Sequence, residues 1–427
     1  MGSVGGSSGL LAASDEHGFE ALGTQLVEAM STYAKCLKAE NLPPPSLYPI
    51  LSASMSVACP EGIEAKEKII ELSRLICDTT MDPEQNLLIS SLQFHFCSSL
   101  KVAIDLRIYE YIPLDGVVSL SQLAELAGAD EAILSRIMRV LTKKQVFMQI
   151  QPGHYAHTRM SSLLLKSKAR DLLSHRLDDS FRSASREADA LAQVGYREPD
   201  RGAANGFNLA FSTDKNFWDY ITTDDPKRGA RFARAMHAVN INSLDAIPRL
   251  YPFDSLAADG GLVVDVGGGQ GQVAKQILEY YPNSGLRFIV QDGYVTNGST
   301  TGSTAVEMHR HDFFEAQPIE GAAAYFFRHI FHDWSDNACV TILKQTARAM
   351  DKHKSRILIC DQVWQDDTPA EASLLYDIDM MSLFGGKERS LAEWKSLIHS
   401  AGENLEIVNV LCSPEFTAAI LDVRLRL

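Results

Sequence analysis

The chain of 427 residues contains no Cys-x-x-C pair. Its seven cysteines, Cys36, Cys59, Cys77, Cys97, Cys339, Cys360 and Cys412, are scattered and odd in number. That pattern excludes a zinc ribbon and a disulfide framework and fits a reducing compartment. No run of eighteen apolar residues occurs, so no membrane span and no membrane partner is expected. The opening stretch MGSVGGSSGLLAAS has no basic segment before its short apolar part, and Gly6 stands where myristoylation wants Ser or Thr. Neither a secretory leader nor a lipid anchor is expected, and the cytoplasm is the expected location. Basic charge is also short: Lys and Arg number 40 against 54 Asp and Glu, a net charge of −14. A large footprint on nucleic acid would need a basic face, so no nucleic-acid partner is expected. No internal repeat is present, and no His/Cys group has metal-ligand spacing, so no metal is expected.

What is present is a globular composition, with 45% hydrophobic and 22% charged residues, enough for a large core and two or three domains. Residues 1–16 are Gly/Ser-rich and expected to be disordered. A helical segment is expected over 17–84. Leu22, Leu26, Met30, Tyr33 and Leu37 recur at helical steps from Phe19 to about Leu42, NLPPPSLYP breaks the pattern, and a second helix runs from about Gly62 to Asp78. A third, Pro83 to Ala103, is nearly apolar throughout and expected to be buried.

Residues 85–170 read as a winged-helix unit. One short helix carries Leu120, Leu123, Ala124 and Ala127, and another opens at Asp130 and carries Leu134, Ile137, Met138 and Leu141. Phe147–Gln151, Pro152-Gly153 and His154–His157 then read as a hairpin wing. The second helix bears Arg136, Arg139, Lys143 and Lys144, which would suit DNA; a dimerisation or substrate-lid module is the alternative, and the acidic chain favours it. Residues 171–250 read as a helical linker, with Phe217-Trp-Asp-Tyr before a polar break at Thr222–Lys227 and a helix bearing Phe232, Met236 and Val239 after it. From 251 to 427 the pattern changes. Apolar runs at Leu262–Val266, Arg287–Gln291, Ala324–Phe327 and Arg356–Cys360 alternate with helical stretches, which means a parallel sheet in a doubly wound, Rossmann-like α/β domain.

The strongest local signal is LVVDVGGGQGQVA, residues 262–274. A strand enters Gly267, Gly268, Gly269 and Gly271, and a helix follows. Such glycines let a backbone turn tightly against a ligand, and the helix start offers free N–H groups. Asp292, at the end of the second strand, stands where an acid takes ribose hydroxyls. The loop alone does not separate a dinucleotide from S-adenosylmethionine. Asp265, directly before the glycines, would repel a diphosphate and attract a sulfonium and an ammonium.

VVDVGGGQG (263–271), QD (291–292), HDFF (311–314), FFRHIFHDWSD (326–336), RILICDQV (356–363) and GGKERS (385–390) occur in this order. In motif and spacing the chain, over about residues 85–425, resembles the plant- and fungal-type S-adenosylmethionine-dependent O-methyltransferases with an N-terminal winged-helix dimerisation domain. The resemblance implies that Gly267, Gly268 and Gly269 hold the methionine part of the cofactor, Asp292 the ribose, and Asp312 and Phe313 the adenine, with Arg328 close by. It implies His332 as general base, Asp361 and Glu388 as the acids that orient it, and Asp333 as a partner or a mere cap. Trp218, Phe232 and Met236 would line the pocket of a small-molecule acceptor, an aromatic or polyketide-like secondary metabolite. A homodimer is implied, its helical half intertwined with its mate. The chemistry agrees: a hydroxyl attacks a methyl group only once its proton is removed, and a positioned imidazole contributes roughly 10²–10⁴-fold.

Two places depart from the family's pattern. Residues 293–304 are polar and Gly-rich where an apolar helix is usual, and Met350–Ser355 lacks the usual Pro-Gly turn. Some relatives bind the cofactor yet catalyse pericyclic or dehydration steps. They tend to replace the His-Asp-Trp histidine with a cation, so the retained His332 favours methyl transfer.

Overall fold

A computed structural model of the chain describes residues 18–48, 57–199, 202–244, 246–294, 305–364, 371–402, 404–413 and 418–426. The tail expected over 1–16 and most of the unusual 293–304 segment lie outside the described residues. The chain divides into two compact units, 1–170 and 171–427.

In the first unit, helices Phe19–Ala39 and Pro60–Thr80 pack on each other. The apolar stretch after them departs from expectation. It forms two helices, Pro83–Ser91 and Phe94–Asp105, and it is not buried: Leu87 is 75% and Leu88 60% exposed, and only Ser99, Leu100, Ala103 and Ile104 lie inside. By length and composition alone, Pro83–Asp105 also passes as a membrane span. Gln85, Asn86 and Gln93 interrupt any unbroken apolar run in it without making the stretch polar. Pro83–Ser91 buries none of its residues, and Phe94–Asp105 packs only through its later turns.

Helices Leu120–Ala127 and Glu131–Lys143 follow, each started by its own cap. Ser119 and Gln122 form a reciprocal capping box, and Asp130 accepts the Ile133 N–H. Strands β1 (Val118–Ser119), β2 (Phe147–Gln151) and β3 (His154–His157) make a small antiparallel sheet in the order β1-β3-β2.

The second unit begins with short helices, among them Phe181–Ala184, Gly206–Phe211, Phe217–Thr223 and Pro226–Leu244. Its sheet contains β4 (Leu262–Val266), β5 (Arg287–Asp292), β6 (Val306–Arg310), β7 (Ala324–Arg328), β8 (Arg356–Trp364), β9 (Arg389–Ser390), β10 (Leu405–Leu411) and β11 (Ala418–Leu425). The order is β10-β11-β8-β7-β4-β5-β6, with β9 paired to β8. Strands β4 to β8 run parallel, while β11 is antiparallel to β8 and to β10. The fold is the expected parallel α/β sheet, extended by β6 and by a C-terminal hairpin. Of these, β6 reads Val-Glu-Met-His-Arg, polar on its outer face, whereas β11 opens on the apolar run Ala-Ala-Ile-Leu that the sequence reading did not assign.

Side chains alternate across the strands. Val264, Val266, Tyr325, Phe327, Ile357 and Ile359 meet helices Asp336–Ala349 and Leu391–Ala401 on one face. Val263, Phe326, Leu358 and Cys360 meet helix Gln272–Tyr280 on the other. The missing Pro-Gly turn at 350–355 is replaced by an Asx turn. Asp351 Oδ1 accepts N–H groups of His353 and Lys354, and Ser355 Oγ donates to Ala322 O.

Candidate active site

Ligands of open α/β sheets sit beyond the carboxyl ends of the strands, where the strand order reverses. Here the reversal lies between β4 and β7. The expected polar residues stand at or near this edge: Asp265 one residue before the end of β4, Asp292 at the end of β5, Arg328 at the end of β7, and Asp361 on β8 just past its pairing with β7.

The glycine loop is sterically committed. Gly267 has φ 72°, and a Cβ there would lie 2.3 Å from Ile330 Cδ1 and 3.9 Å from Phe313 Cε1. A Cβ on Gly268 would lie 2.5 Å from Asp265 Oδ2. Both loop N–H groups, of Gly267 and Gly268, donate to Gln291 O at 2.7 and 3.1 Å. Asp292 binds the loop directly, accepting the Gly269 N–H on Oδ2 at 3.1 Å and the Tyr294 N–H on Oδ1 at 3.0 Å. Asp265 is 1% exposed, and its Oδ2 has no hydrogen-bond partner among the described residues. Burial pushes its carboxyl up to about 7, with Arg328 pulling the other way and Asp292 adding to the rise. Asp312 is exposed and caps the Phe314 N–H at 3.0 Å, while Phe313 packs against Phe314 and Trp334.

The second half of the site is a 3-10 turn, Phe331–Asp333. His332 Nδ1 lies 2.9 Å from Glu388 Oε1, and Nε2 lies 3.5 Å from Asp333 Oδ1; the imidazole is 18% exposed. Asp361, fully buried, accepts the Phe331 N–H on Oδ2 at 3.2 Å. His329, whose ring centre is 5.3 Å from that of His332, is held well below the ordinary histidine range by burial and by Arg328. His332 is the opposite case. Burial disfavours its charged form, but Asp333, Glu388 and Asp361 outweigh it and raise the imidazole to about 10. Burial raises Asp333 and Asp361 to about 7 each. The His332 imidazole and the buried carboxyls of Asp333 and Asp361 therefore titrate as a coupled group.

Trp218 and Phe232 are brought together: their rings lie 5.3 Å apart, and Trp218 stacks on Phe384 at 5.5 Å. Met236 follows on the Phe232 helix and is half-buried. From Phe384 the chain runs straight to the histidine turn, where the Lys387 N–H donates to His332 O at 2.9 Å. A Cβ on Gly386 would lie 2.1 Å from that same oxygen.

Several residues escaped the sequence reading. Arg389 is fully buried beneath the histidine turn. Tyr294 Oη donates to Asp219 Oδ1 at 3.0 Å and so joins the second residue after the β5 end to the Trp218 helix. His175 Nδ1 meets Asp179 Oδ2 at 2.6 Å, with its ring edge-on to Phe232. Only Arg389 stood inside a recognised motif, and apart from Lys387 O its hydrogen-bond partners lie 50 or more residues away in sequence.

A buried carboxyl with one oxygen unpaired among the described residues, beside a glycine cradle and with a second acid tied to the loop, fits a cationic sulfonium nucleoside and not a diphosphate. The site is that of an S-adenosylmethionine-dependent methyltransferase. Residues 197–404 match the family model of the O-methyltransferase domain, and 89–167 match that of the O-methyltransferase dimerisation domain. The O-methyltransferase penK of Penicillium thymicola is 87% identical over 427 residues, covering 100% of each chain. The O-methyltransferase OME1 of Pyricularia oryzae is 52% identical over 93% of this chain and 82% of its own. Sterigmatocystin 8-O-methyltransferase of Aspergillus parasiticus is 35% identical over 67% of this chain and 69% of its own. Among solved structures, OxaC in complex with SAH and oxaline superposes with a TM-score of 0.77 at 24% identity, covering 95% of this chain and 100% of that one. The mitomycin 7-O-methyltransferase MmcR gives 0.68 at 27% identity, covering 80% and 98%. The chain belongs to the O-methyltransferase family and is an O-methyltransferase whose cofactor is S-adenosylmethionine.

Proposed function

We propose that the protein methylates a hydroxyl of an aromatic or polyketide-like small molecule, with His332 as the general base. The observation that carries this reading is the His332–Glu388 contact of 2.9 Å, beside a glycine loop that leads from a buried acid. Bound S-adenosylmethionine supplies the methyl group. Asp265 and Gly267, Gly268 and Gly269 would hold its methionine part, Asp292 its ribose, and Asp312 and Phe313 its adenine, with Arg328 balancing Asp265. Glu388 accepts from Nδ1 and leaves Nε2 to take the acceptor's proton. Asp361 and Asp333 stabilise the imidazolium that results. Trp218, Phe232 and Met236 offer an apolar, aromatic wall to a flat acceptor. A relative named for the 8-oxygen of sterigmatocystin supports an acceptor of this kind. The dimerisation-domain match and the bare apolar helices of the first unit support a homodimer.

Purified protein, methyl-labelled cofactor and a panel of phenolic metabolites test the reading. His332→Ala is expected to lower transfer by about 10²–10⁴-fold while keeping cofactor affinity. Normal methylation by that variant removes His332 from the base role. A product isomeric with its substrate, with no S-adenosylhomocysteine released, replaces methyl transfer by a pericyclic step.

A further inference from the structure

Arg389 is 0% exposed. A guanidinium in a protein core is unfavourable unless its donors are satisfied, and here the donors are spent on one small region. Nε donates to Asp336 Oδ1 at 2.9 Å. Nη1 donates to Phe331 O at 3.0 Å and to Lys387 O at 3.1 Å. Nη2 donates to Trp334 O at 2.8 Å and reaches Cys339 Sγ at 3.4 Å. The guanidinium carbon sits 5.4 Å from the centre of the Trp394 ring.

Phe331 is the residue before His332, and Trp334 the residue after Asp333. Lys387 is the residue before Glu388. One planar fork therefore grips both ends of the turn that carries the imidazole, and also the segment ahead of β9 that carries its carboxylate partner. The imidazole and the carboxylate are 56 residues apart in sequence. The Lys387 N–H to His332 O bond and the bare Gly386 close the same joint from the other side. An ordinary core position would be served as well by an apolar side chain of similar volume. That replacement here would take the charged donor from the carbonyls of Phe331 and Trp334 and leave the turn to its own Trp334 N–H on Phe331 O at 3.1 Å and to the weak Cys339 thiol at 3.3 and 3.4 Å, none of which reaches the Lys387 side.

We infer that Arg389 is a positioning residue for the base, a clamp that sets the distance and angle between His332 and Glu388. The inference rests on the reading of His332 as the base. The groups facing the imidazole are Asp333 on its own turn, Asp361 on β8, Glu388 ahead of β9, and His329 and Arg328 at the end of β7. With the clamp loosened, Glu388 moves away from Nδ1, the imidazolium loses its nearest counter-charge, and His332 titrates at lower pH.

The test compares Arg389→Lys, whose point charge has no fork, with Asp336→Asn, which keeps the guanidinium but weakens a half-exposed anchor. Val423→Ala is the control, a core deletion where β11 pairs Ile357, far from Asp361. Four quantities are measured on the whole protein: Tm, S-adenosylhomocysteine affinity by calorimetry, kcat and KM for the acceptor, and the His332 titration by NMR of histidine-labelled protein. Arg389→Lys is expected to lower kcat by about 10–100-fold, to leave cofactor affinity within about two-fold, and to move the His332 midpoint down by about one unit or more. Asp336→Asn moves both in the same direction by less, and decides the matter if the lysine variant does not fold. Val423→Ala lowers Tm and moves neither. The inference is overturned if Arg389→Lys, or in its place Asp336→Asn, lowers Tm alone, or lowers kcat with the His332 titration unmoved. If His332→Ala methylates normally, the base reading fails, but the NMR titration still decides whether Arg389 holds the pair.

Discussion

At Asp265 a carboxylate stands on the strand face where Val263 and its neighbours pack the core. Its pKa in the fold, about 7, lies above the ordinary 3.8. Ionisation therefore weakens the unliganded fold as pH rises between these values, by up to roughly 4 kcal/mol when complete. Asp265→Asn removes that loss. The variant is expected to melt several degrees above the parent at pH 8 and alike below pH 4, while binding S-adenosylmethionine more weakly. Thermal scans across pH and calorimetry check both halves; equal melting at pH 8 would refute the burial argument. Glu388 presents the reverse balance, since it helps to raise His332 to about 10. A histidine raised this far is protonated at neutral pH, so the rate of transfer is expected to climb as pH rises above neutral and the coupled group loses a proton. Removing one carboxylate favours the neutral imidazole. Glu388→Gln is therefore expected to shift the acid limb of the pH–rate profile to lower pH, with a plateau lowered by about ten-fold because the ring is no longer held. A limb that stays in place would show that another group sets it.

At the scale of elements, the site depends on close approach between the Gly385-Gly386 loop and the histidine turn. Any side chain at 386 would drive a carbon to 2.1 Å from His332 O, and neither backbone can retreat, because Lys387 and Arg389 bind the same turn. Gly386→Ala is expected to reduce kcat by about ten-fold or more, as a misplaced catalytic group does, with cofactor affinity little changed. Single-turnover rates set beside equilibrium binding separate the two; equal losses in both would mean that the whole sheet end had shifted. Such a joint was only partly visible in the sequence. Glycine pairs and capping boxes are local, and the helices begin where Ser119, Asp130 and Ser390 cap them. The depth of the contact between positions 332 and 386 is set by sheet register, which no local pattern encodes.

For the whole molecule, Leu87, Leu88, Ile89, Leu92 and Phe94 form an exposed apolar stretch of a kind that marks an interaction surface. It overlaps the match to the dimerisation domain, which begins at residue 89. Light scattering is expected to give twice the 47.0 kDa chain mass, and Leu88→Lys is expected to shift the population towards the single chain and lower its Tm. A parent that is monomeric at micromolar concentration would remove the dimer from the account.

The sequence alone determined the strands at 262–266, 287–291, 324–327 and 356–360, the glycine loop between strand and helix, and the ordered motifs that mark the methyl-transfer family. Each is a short-range property: alternation, backbone freedom at glycine, an acid at a fixed step from a loop. Tertiary structure decided the rest. Only the register of β8 and β9 brings Glu388 to His332 and Arg389 beneath them. Only burial raises Asp265, Asp333 and Asp361 to about 7. Packing, too, left Pro83–Asp105 exposed where its composition alone indicated a core helix. Distance across a sheet and exclusion of water are sums over neighbours remote in the chain, and a residue's own identity does not contain them.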